Sequence, residues 1–320
     1  MMHPNLIFIL SLPRSGSTLV QKVLSGHAEI QTTAEPWLLL PLITSLYETR
    51  SVPSVYNSQL AGRAIEELRN QLDRPSFDSE IRDFTSAVYS RLTDRPEQKF
   101  FLDKTPRYYL IAEHILRIFP EAKIIVLTRN PLQIFSSVLK SWRDNKFDRF
   151  YRDYFDLYEG PTYLAKLISN NPNLFVLDYS QIVSDPVECF HSILSYLGVT
   201  PDPELVNKFK AELDLGYMGD HSNKATTVTS SSVDEWKNTF NNYFRKWLIR
   251  NYLRKLGKND TLAVLGHDYE ELSREVDKLE PAFGSSAKDF FHWSISLAVK
   301  RLKLNLIFNK LSLLRDNFIA

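Results

Sequence analysis

The chain is poor in three things: cysteine, net charge and long apolar runs. Its one cysteine, Cys189, excludes an internal disulfide and suits a reducing compartment. The net charge of +1 gives no overall field that would attract nucleic acid, so any anion site must be local and we expect no nucleic-acid partner. No apolar stretch approaches the roughly 20 residues that span a bilayer, and the early apolar run is too short for a signal peptide. We therefore expect a cytoplasmic protein.

The N-terminal segment has the layout of a phosphate-binding site. The apolar run 5–10 predicts a buried strand, and it is followed by Ser11-Leu-Pro-Arg-Ser-Gly-Ser-Thr18 and an amphipathic helix that starts near Leu19. Amides at a helix N-terminus point outward unpaired and attract anions, and Arg14 adds a cation that matches phosphate. A serine-rich turn with an ordinary helix cap at Ser15 or Ser17 is the alternative.

This loop differs from the Walker A sequence G-x-x-x-x-G-K-[ST]. Gly16 is its one glycine, and the Lys-Ser/Thr pair that holds a nucleoside triphosphate and its magnesium is missing. The sequence therefore predicts a phosphate ligand that is held without a metal.

Alternating strands and helices define the fold class. Further strands are predicted at 99–103, 123–128 and 174–179, with helices between them. This alternation predicts an α/β protein with a central parallel β-sheet flanked by helices, in which ligands bind beyond the carboxyl ends of the strands. Arg14, Lys104 and Arg129 each follow such an end.

The remaining segments are predicted to be helical. The region of about 37–93 reads as a helical insertion, with helices over 57–73 and 77–93, and one helix is predicted over 233–256. The tail 290–320 is both apolar and basic. It could pack on the domain, form a dimer contact or lie on a membrane surface; its cations are Lys300, Arg301, Lys303, Lys310 and Arg315.

The segment Pro13-Arg-Ser-Gly-Ser-Thr18 resembles the loop by which sulfotransferases hold the 5′-phosphate of their donor, 3′-phosphoadenosine-5′-phosphosulfate (PAPS). The resemblance is nearest to the tyrosylprotein sulfotransferases and related bacterial sulfotransferases. It implies that Arg14, Ser15, Gly16, Ser17 and Thr18 contact the 5′-phosphate. Arg129 follows a strand and Ser137 comes eight residues later, which are the positions that contact the 3′-phosphate in that family.

The same resemblance implies two catalytic residues. Glu35 follows Arg14 by 21 residues, the interval of the family's general base, and Lys104 precedes Arg129 by 25, the interval of its transition-state lysine. Without the resemblance, Glu35 would be a turn carboxylate and Lys104 a solvated lysine. Tyr179 matches the first position of the family's Y-E-D-L segment. Family members also carry a late loop that closes over the nucleotide, for which Ser222 and Lys224 are the candidates.

Together these features predict a P-loop-like sulfotransferase domain over 1–275 and a C-terminal helical extension over 276–320. The expected reaction is transfer of a sulfuryl group from PAPS to an acceptor hydroxyl or amine, with 3′,5′-ADP (PAP) as product and no metal. A nucleotide-dependent kinase and a catalytically inactive nucleotide-binding scaffold are the alternatives. The sequence leaves the acceptor open between carbohydrate, lipid, small molecule and peptide, and it leaves the oligomeric state open.

Overall fold

A parallel sheet of five strands organises the residues described by the computed structural model, which are 5–47, 57–93, 95–208, 234–282 and 284–304. The spatial order of the strands is β2-β3-β1-β4-β5. Their bounds are β1 Asn5–Ser11, β2 Ile30–Thr32, β3 Phe100–Asp103, β4 Lys123–Thr128 and β5 Phe175–Asp178. β1 lies in the middle, paired with β3 on one side and β4 on the other.

Helices connect and cover these strands. Up to β3 they are α1 Ser17–Leu24, α2 Leu39–Tyr47, α3 Ser58–Gln71 and α4 Arg74–Ser90. Between β3 and β5 they are α5 Ala112–Ile118, α6 Pro131–Arg143, α7 Tyr154–Tyr158 and α8 Gly160–Asn170, with short 3-10 turns at Tyr108–Leu110 and Phe150–Arg152. After β5 follow α9 Tyr179–Ser184, α10 Pro186–Leu197, α11 Leu205–Lys208, α12 Glu235–Thr239, α13 Tyr243–Gly257, α14 Thr261–Val264, α15 Tyr269–Asp277 and α16 Ser286–Arg301.

Both faces of the sheet are buried, which is why β1 is apolar at nearly every position. Phe8 and Leu10 enter the hydrophobic cluster on one face, while Ile7 and Ile9 enter the cluster on the other. Cys189 belongs to the second cluster, and burial raises the pKa of its thiol to about 11. The predicted fold class, a central parallel sheet flanked by helices, is confirmed.

Several local predictions need correction. β2 was not predicted, because three residues at a sheet edge leave no periodic signal. The apolar segment at Trp37 becomes helical only from Leu39, since Trp37 has a φ of 52°. The segment predicted as one helix over 233–256 contains two helices, α12 and α13, and the Asn242 side chain caps the second by accepting from the amide of Arg245.

The helices of the 37–93 insertion form close to their predicted positions, but their apolar faces are only partly covered. Leu60 is 64% exposed, Leu68 50% and Phe84 51%, whereas Ile43 of α2 and Ile81 of α4 are buried. Helical spacing of apolar residues thus predicted the helices, but it does not decide which of their apolar residues are buried.

The C-terminal region packs on α13 through a buried ion pair, in which Arg245 Nε donates to Asp289 Oδ2 at 2.7 Å. The domain division at residue 275 stays a prediction. Among the helices that the structure describes, none combines the length and the apolar character that a bilayer crossing would need.

Candidate active site

The loop between β1 and α1 has a backbone that few residues tolerate. Arg14 has a φ of 68° and Gly16 a φ of 96°, both in the left-handed region. A Cβ on Gly16 would lie 2.5 Å from Cδ2 of Tyr179, so only glycine fits at this position. Ser15 is buried, and its hydroxyl has no hydrogen-bond partner among the described residues. A buried hydroxyl without a partner beside a helix N-terminus suits an anionic ligand.

Two arginines meet at this loop. Arg14 donates from Nε to Ser137 Oγ and from Nη2 to Ser141 Oγ, both at 3.0 Å. Arg129 donates from Nη1 to the carbonyl of Arg14 at 3.0 Å, and its guanidinium lies 4.1 Å from the centre of the Tyr179 ring. Burial, together with the nearby charge of Arg14, lowers the pKa of Arg129. Because the two cations repel each other, an anion bound between them would be stabilised.

The residues predicted to act as base and stabiliser form a buried ion pair. Lys104 Nζ lies 2.7 Å from Glu35 Oε1, and their side chains are only 1% and 7% exposed. The same ammonium donates to Thr18 Oγ1 at 3.3 Å, at the start of α1. The candidate base, the candidate stabiliser and the phosphate loop are therefore parts of one site.

Asp103, just before Lys104, supports the segment that carries Glu35. Three hydroxyls donate to its carboxylate: Thr105 Oγ1 to Oδ1 at 2.9 Å, Tyr108 Oη to Oδ2 at 2.9 Å and Tyr89 Oη to Oδ2 at 2.5 Å. The hydroxyls of Thr105 and Tyr108 also accept from the backbone amides of Trp37 at 3.3 Å and Leu39 at 3.1 Å, respectively. Asp103 thereby fixes the chain on the C-terminal side of Glu35, and its complete burial raises the pKa of its carboxyl to about 6.

Trp37 holds the carboxylate of Glu35 directly. Its indole Nε1 donates to Glu35 Oε2 at 3.1 Å, on the oxygen that Lys104 does not contact. Its left-handed backbone turns the chain between Glu35 and α2. Sequence reasoning assigned Trp37 to a helix start, and the signal it missed was an aromatic donor two residues after the candidate base.

His267 is a second residue that sequence reasoning missed. Its Nε2 lies 3.6 Å from Oδ2 of Asp178, and its ring hydrogen-bonds to the backbone of Arg129. Burial lowers the pKa of His267, which favours the neutral ring. The Asp178 side chain also caps α9, whose first residue is Tyr179, so Asp178 links His267 to the start of the helix that carries Tyr179. No motif in the sequence connects residue 267 to residue 129.

The structure brings Arg14, Thr18, Glu35, Lys104, Arg129 and Ser137 together beyond the carboxyl ends of β1, β3 and β4. Ser15, Gly16 and Ser17 lie between Arg14 and Thr18 at the same edge of the sheet, while Ser222 and Lys224 lie outside the described residues. Within the ranges that the structure covers, no group of three or more histidine, cysteine, aspartate or glutamate side chains is arranged to hold a metal ion.

A parallel α/β sheet with a phosphate-type loop after its first strand and a buried ion pair beside that loop is the arrangement that comparisons with known proteins place in a known family. The model of the sulfotransferase family matches residues 4–203, and the chain belongs to this family. The family assignment made from the loop and its flanking motifs is thus confirmed.

Three similar proteins illustrate the relationship. The nodulation protein NoeE of Sinorhizobium fredii is 34% identical over 139 residues, covering 43% of this chain and 32% of NoeE. Protein-tyrosine sulfotransferase 2 of Gallus gallus is 23% identical over 203 residues, covering 61% of this chain and 51% of that protein. The chain thus aligns with less than two thirds of either relative. The solved sulfotransferase domain of the Synechococcus PCC 7002 olefin synthase is 25% identical, with a TM-score of 0.50, covering 74% of this chain and 89% of that domain.

Proposed function

We propose that this chain transfers a sulfuryl group from PAPS to an acceptor hydroxyl or amine and releases 3′,5′-ADP. Membership of the sulfotransferase family supports the reaction class. The observation that carries the residue assignment is the buried Lys104–Glu35 ion pair at 2.7 Å, with Lys104 also bonded to Thr18 of the phosphate loop. An in-line transfer of a sulfuryl group beside a phosphate requires a base and a cation that can both reach the reacting atoms.

The described residues fit a donor with two phosphates. The partnerless hydroxyl of Ser15 and the first-turn amides of Ser17 and Thr18 would hold the 5′-phosphate. Arg129 and Ser137 would hold the 3′-phosphate. Arg14 contacts Ser137 through its side chain and Arg129 through its carbonyl, so it would bridge the two phosphate sites.

The bound donor supplies the sulfuryl group and a phosphate leaving group. Glu35 would accept the proton of the acceptor hydroxyl as the acceptor oxygen bonds to sulfur and the bond from sulfur to the phosphate oxygen breaks. Lys104 would donate a hydrogen bond to that phosphate oxygen as it gains negative charge. Trp37 and Asp103 would keep the Glu35 carboxylate oriented throughout.

The test measures donor binding and turnover separately, using the full chain. Binding of 3′,5′-ADP is followed by calorimetry, and turnover is followed with sulfur-labelled PAPS against a phenol, a tyrosine peptide, an oligosaccharide and a glycolipid. We expect Glu35→Gln and Lys104→Met each to lower turnover by about 10²-fold or more while donor affinity changes less than fivefold. The matched controls are Glu275→Gln and Lys278→Met, which break another ion pair of 2.7 Å on the surface.

Each competing function has its own outcome in this test. An inactive scaffold would bind 3′,5′-ADP but show no turnover in the wild type with any acceptor. A kinase would transfer the γ-phosphate of ATP in the presence of magnesium and leave PAPS unused. Unchanged turnover in both variants would reject Glu35 and Lys104 as the catalytic pair.

A further inference from the structure

Helix α16 packs against the protein with a face that includes polar residues. Asp289 and Ser296 are buried, Asp289 in the ion pair with Arg245 and Ser296 as acceptor from the amide of Tyr151. Trp293 packs on the same side, against Phe244 and Trp247 of α13. The inner face of α16 is therefore partly polar, although the buried face of a surface helix is usually its apolar face.

The opposite face of α16 carries an exposed apolar stripe, which we call the outer stripe: Phe291, Ile295, Ala298 and Leu302. Their spacing of four, three and four residues places them on one side of the helix. Phe291 is 61% exposed, Ile295 46% and Leu302 67%. A contiguous exposed apolar surface of this kind marks an interaction site.

The exposed charges of α16 and of the residues that follow it up to residue 304 have one sign. Lys288, Arg301 and Lys303 are exposed beside the outer stripe, and Lys300 is half-buried. Residues 286–304 contain one carboxylate, Asp289, which is buried and paired with Arg245. The surface of this segment is therefore cationic as well as apolar.

A groove of about 480 Å³ lies between α16, α13 and α7, and Arg301, which is exposed beside the outer stripe, also lines it. Its aromatic lining consists of Tyr154, Tyr158, Trp247 and Trp293, and the buried indole N–H of Trp293 has no acceptor among the described residues. Aromatic rings with a polar edge are enriched where proteins meet the interface of a membrane.

Three cations also line the groove: Lys255, Lys300 and Arg301. Lys255 is paired with Glu159, and the ammonium of Lys300 lies 3.1 Å from the centre of the Tyr154 ring. Burial and the neighbouring charges of Lys255 and Arg301 lower the pKa of Lys300. Such a cluster favours a ligand that brings negative charge.

We propose that the outer stripe and the cations beside it bind the surface of a bilayer that contains anionic phospholipids. The outer stripe enters the boundary between headgroups and acyl chains, while the cations contact lipid phosphates. A second copy of the chain fits less well, because it would bring a second cationic helix against the first. This inference is independent of the sulfuryl-transfer reaction.

The experiment uses the full chain and floats it with vesicles of pure phosphatidylcholine or of phosphatidylcholine with 30% phosphatidylglycerol. We expect binding to the anionic vesicles, weaker binding to neutral ones, and a decrease as salt rises from about 0.1 to 0.5 M because screening shortens the reach of the charges. Lys288→Gln with Lys303→Gln should weaken binding about fivefold for each cation removed.

The decisive variant is Phe291→Ser with Ile295→Ser, which we expect to weaken binding at least tenfold. Leu60→Ser with Leu68→Ser is the matched control, since these leucines of α3 are similarly exposed, and it should bind as the wild type does. Thermal unfolding of each variant checks that the fold is retained. Equal binding of the stripe variant and wild type, or no binding of the wild type to anionic vesicles, would overturn the proposal. The proposal would also be overturned if sedimentation showed that the wild type is a dimer and that the stripe variant is a monomer.

Discussion

Lys104 and Glu35 form a buried ion pair of 2.7 Å although 69 residues separate them in the chain. The edge strand β2 explains how they meet. β2 pairs with β3 so that Thr32 lies opposite Leu102, and the Thr32 hydroxyl donates to the carbonyl of Leu102 at 2.7 Å. The chain that leaves β2 therefore runs beside the chain that leaves β3, which brings position 35 to position 104.

Trp37→Phe tests whether the indole N–H orients the candidate base. The substitution keeps an aromatic side chain but removes the indole N–H and with it the 3.1 Å hydrogen bond to Glu35 Oε2. We expect turnover to fall about tenfold, since a hydrogen bond to a charged group contributes about 1.5–3 kcal/mol. The affinity for 3′,5′-ADP should stay unchanged. Trp142→Phe, at an exposed position on α6, is the control, and equal turnover in both variants would remove Trp37 from the mechanism.

Gly16→Ala tests the contact between the loop and Tyr179. The new methyl group would lie 2.5 Å from the Tyr179 ring, so the ring must move and Arg129 loses the surface on which it is stacked. We expect affinity for 3′,5′-ADP to fall about 10- to 100-fold, and stability to fall by about 1–2 kcal/mol from the left-handed backbone.

Gly198→Ala separates these two effects. Gly198 has a φ of 72° and no atom within 4 Å of an added Cβ, so it carries the backbone cost without the clash. This control should lose stability and keep its affinity. If calorimetry shows the same affinity for both variants, the Tyr179 contact is irrelevant to the donor.

Ser137→Ala tests the assignment of the 3′-phosphate. The Ser137 hydroxyl lies 3.0 Å from Arg14 Nε, where a phosphate oxygen would be shared between them. We expect affinity for 3′,5′-ADP to fall about tenfold and affinity for 5′-AMP, which lacks the 3′-phosphate, to stay the same. Ser141→Ala removes the other hydroxyl bonded to Arg14 and should change both affinities less than threefold. A parallel loss for both nucleotides in Ser137→Ala would contradict the assignment.

Asp103→Asn tests the buried carboxyl that supports the Glu35 segment. Burial raises the pKa of the Asp103 carboxyl to about 6 in the folded protein, from the ordinary value of 3.8 for an aspartate, so the folded state favours the protonated form. The stability this adds is fully present below about pH 4 and is lost as pH rises through 6. The free energy of unfolding of wild type relative to Asp103→Asn should therefore fall by at most about 3 kcal/mol between pH 4 and 7. Urea unfolding at several pH values measures it, and a difference that rises with pH would contradict the prediction.

The sequence predicted the parts of this protein that are local in the chain. The strand before the loop at Arg14 and the strand before Arg129 both follow from short-range propensities, and both are found at or near the predicted positions. The family intervals also pointed to Glu35 and Lys104, which the structure brings into contact. Their catalytic roles stay predictions.

What the sequence did not predict depends on contacts between distant segments. The support that Thr105 and Tyr108 give to Trp37 and Leu39 needs the register of β2 against β3, which no periodicity encodes. The burial of Asp289 on the inner face of α16 depends on Arg245, which lies in α13. Helical spacing of apolar residues predicts that a helix forms, while the elements that pack against the helix decide which of its faces is buried.

The single native cysteine is buried, which allows site-specific labelling at cysteines introduced elsewhere. Cys189 is 7% exposed and its thiol ionises only near pH 11, so it should not react with maleimide reagents at neutral pH. A cysteine introduced at an exposed position then becomes the sole labelling site without removal of the native one. A nitroxide placed at Ala298 would report its depth in a bilayer, and one at Ser141 would report nucleotide binding, each in an otherwise wild-type protein.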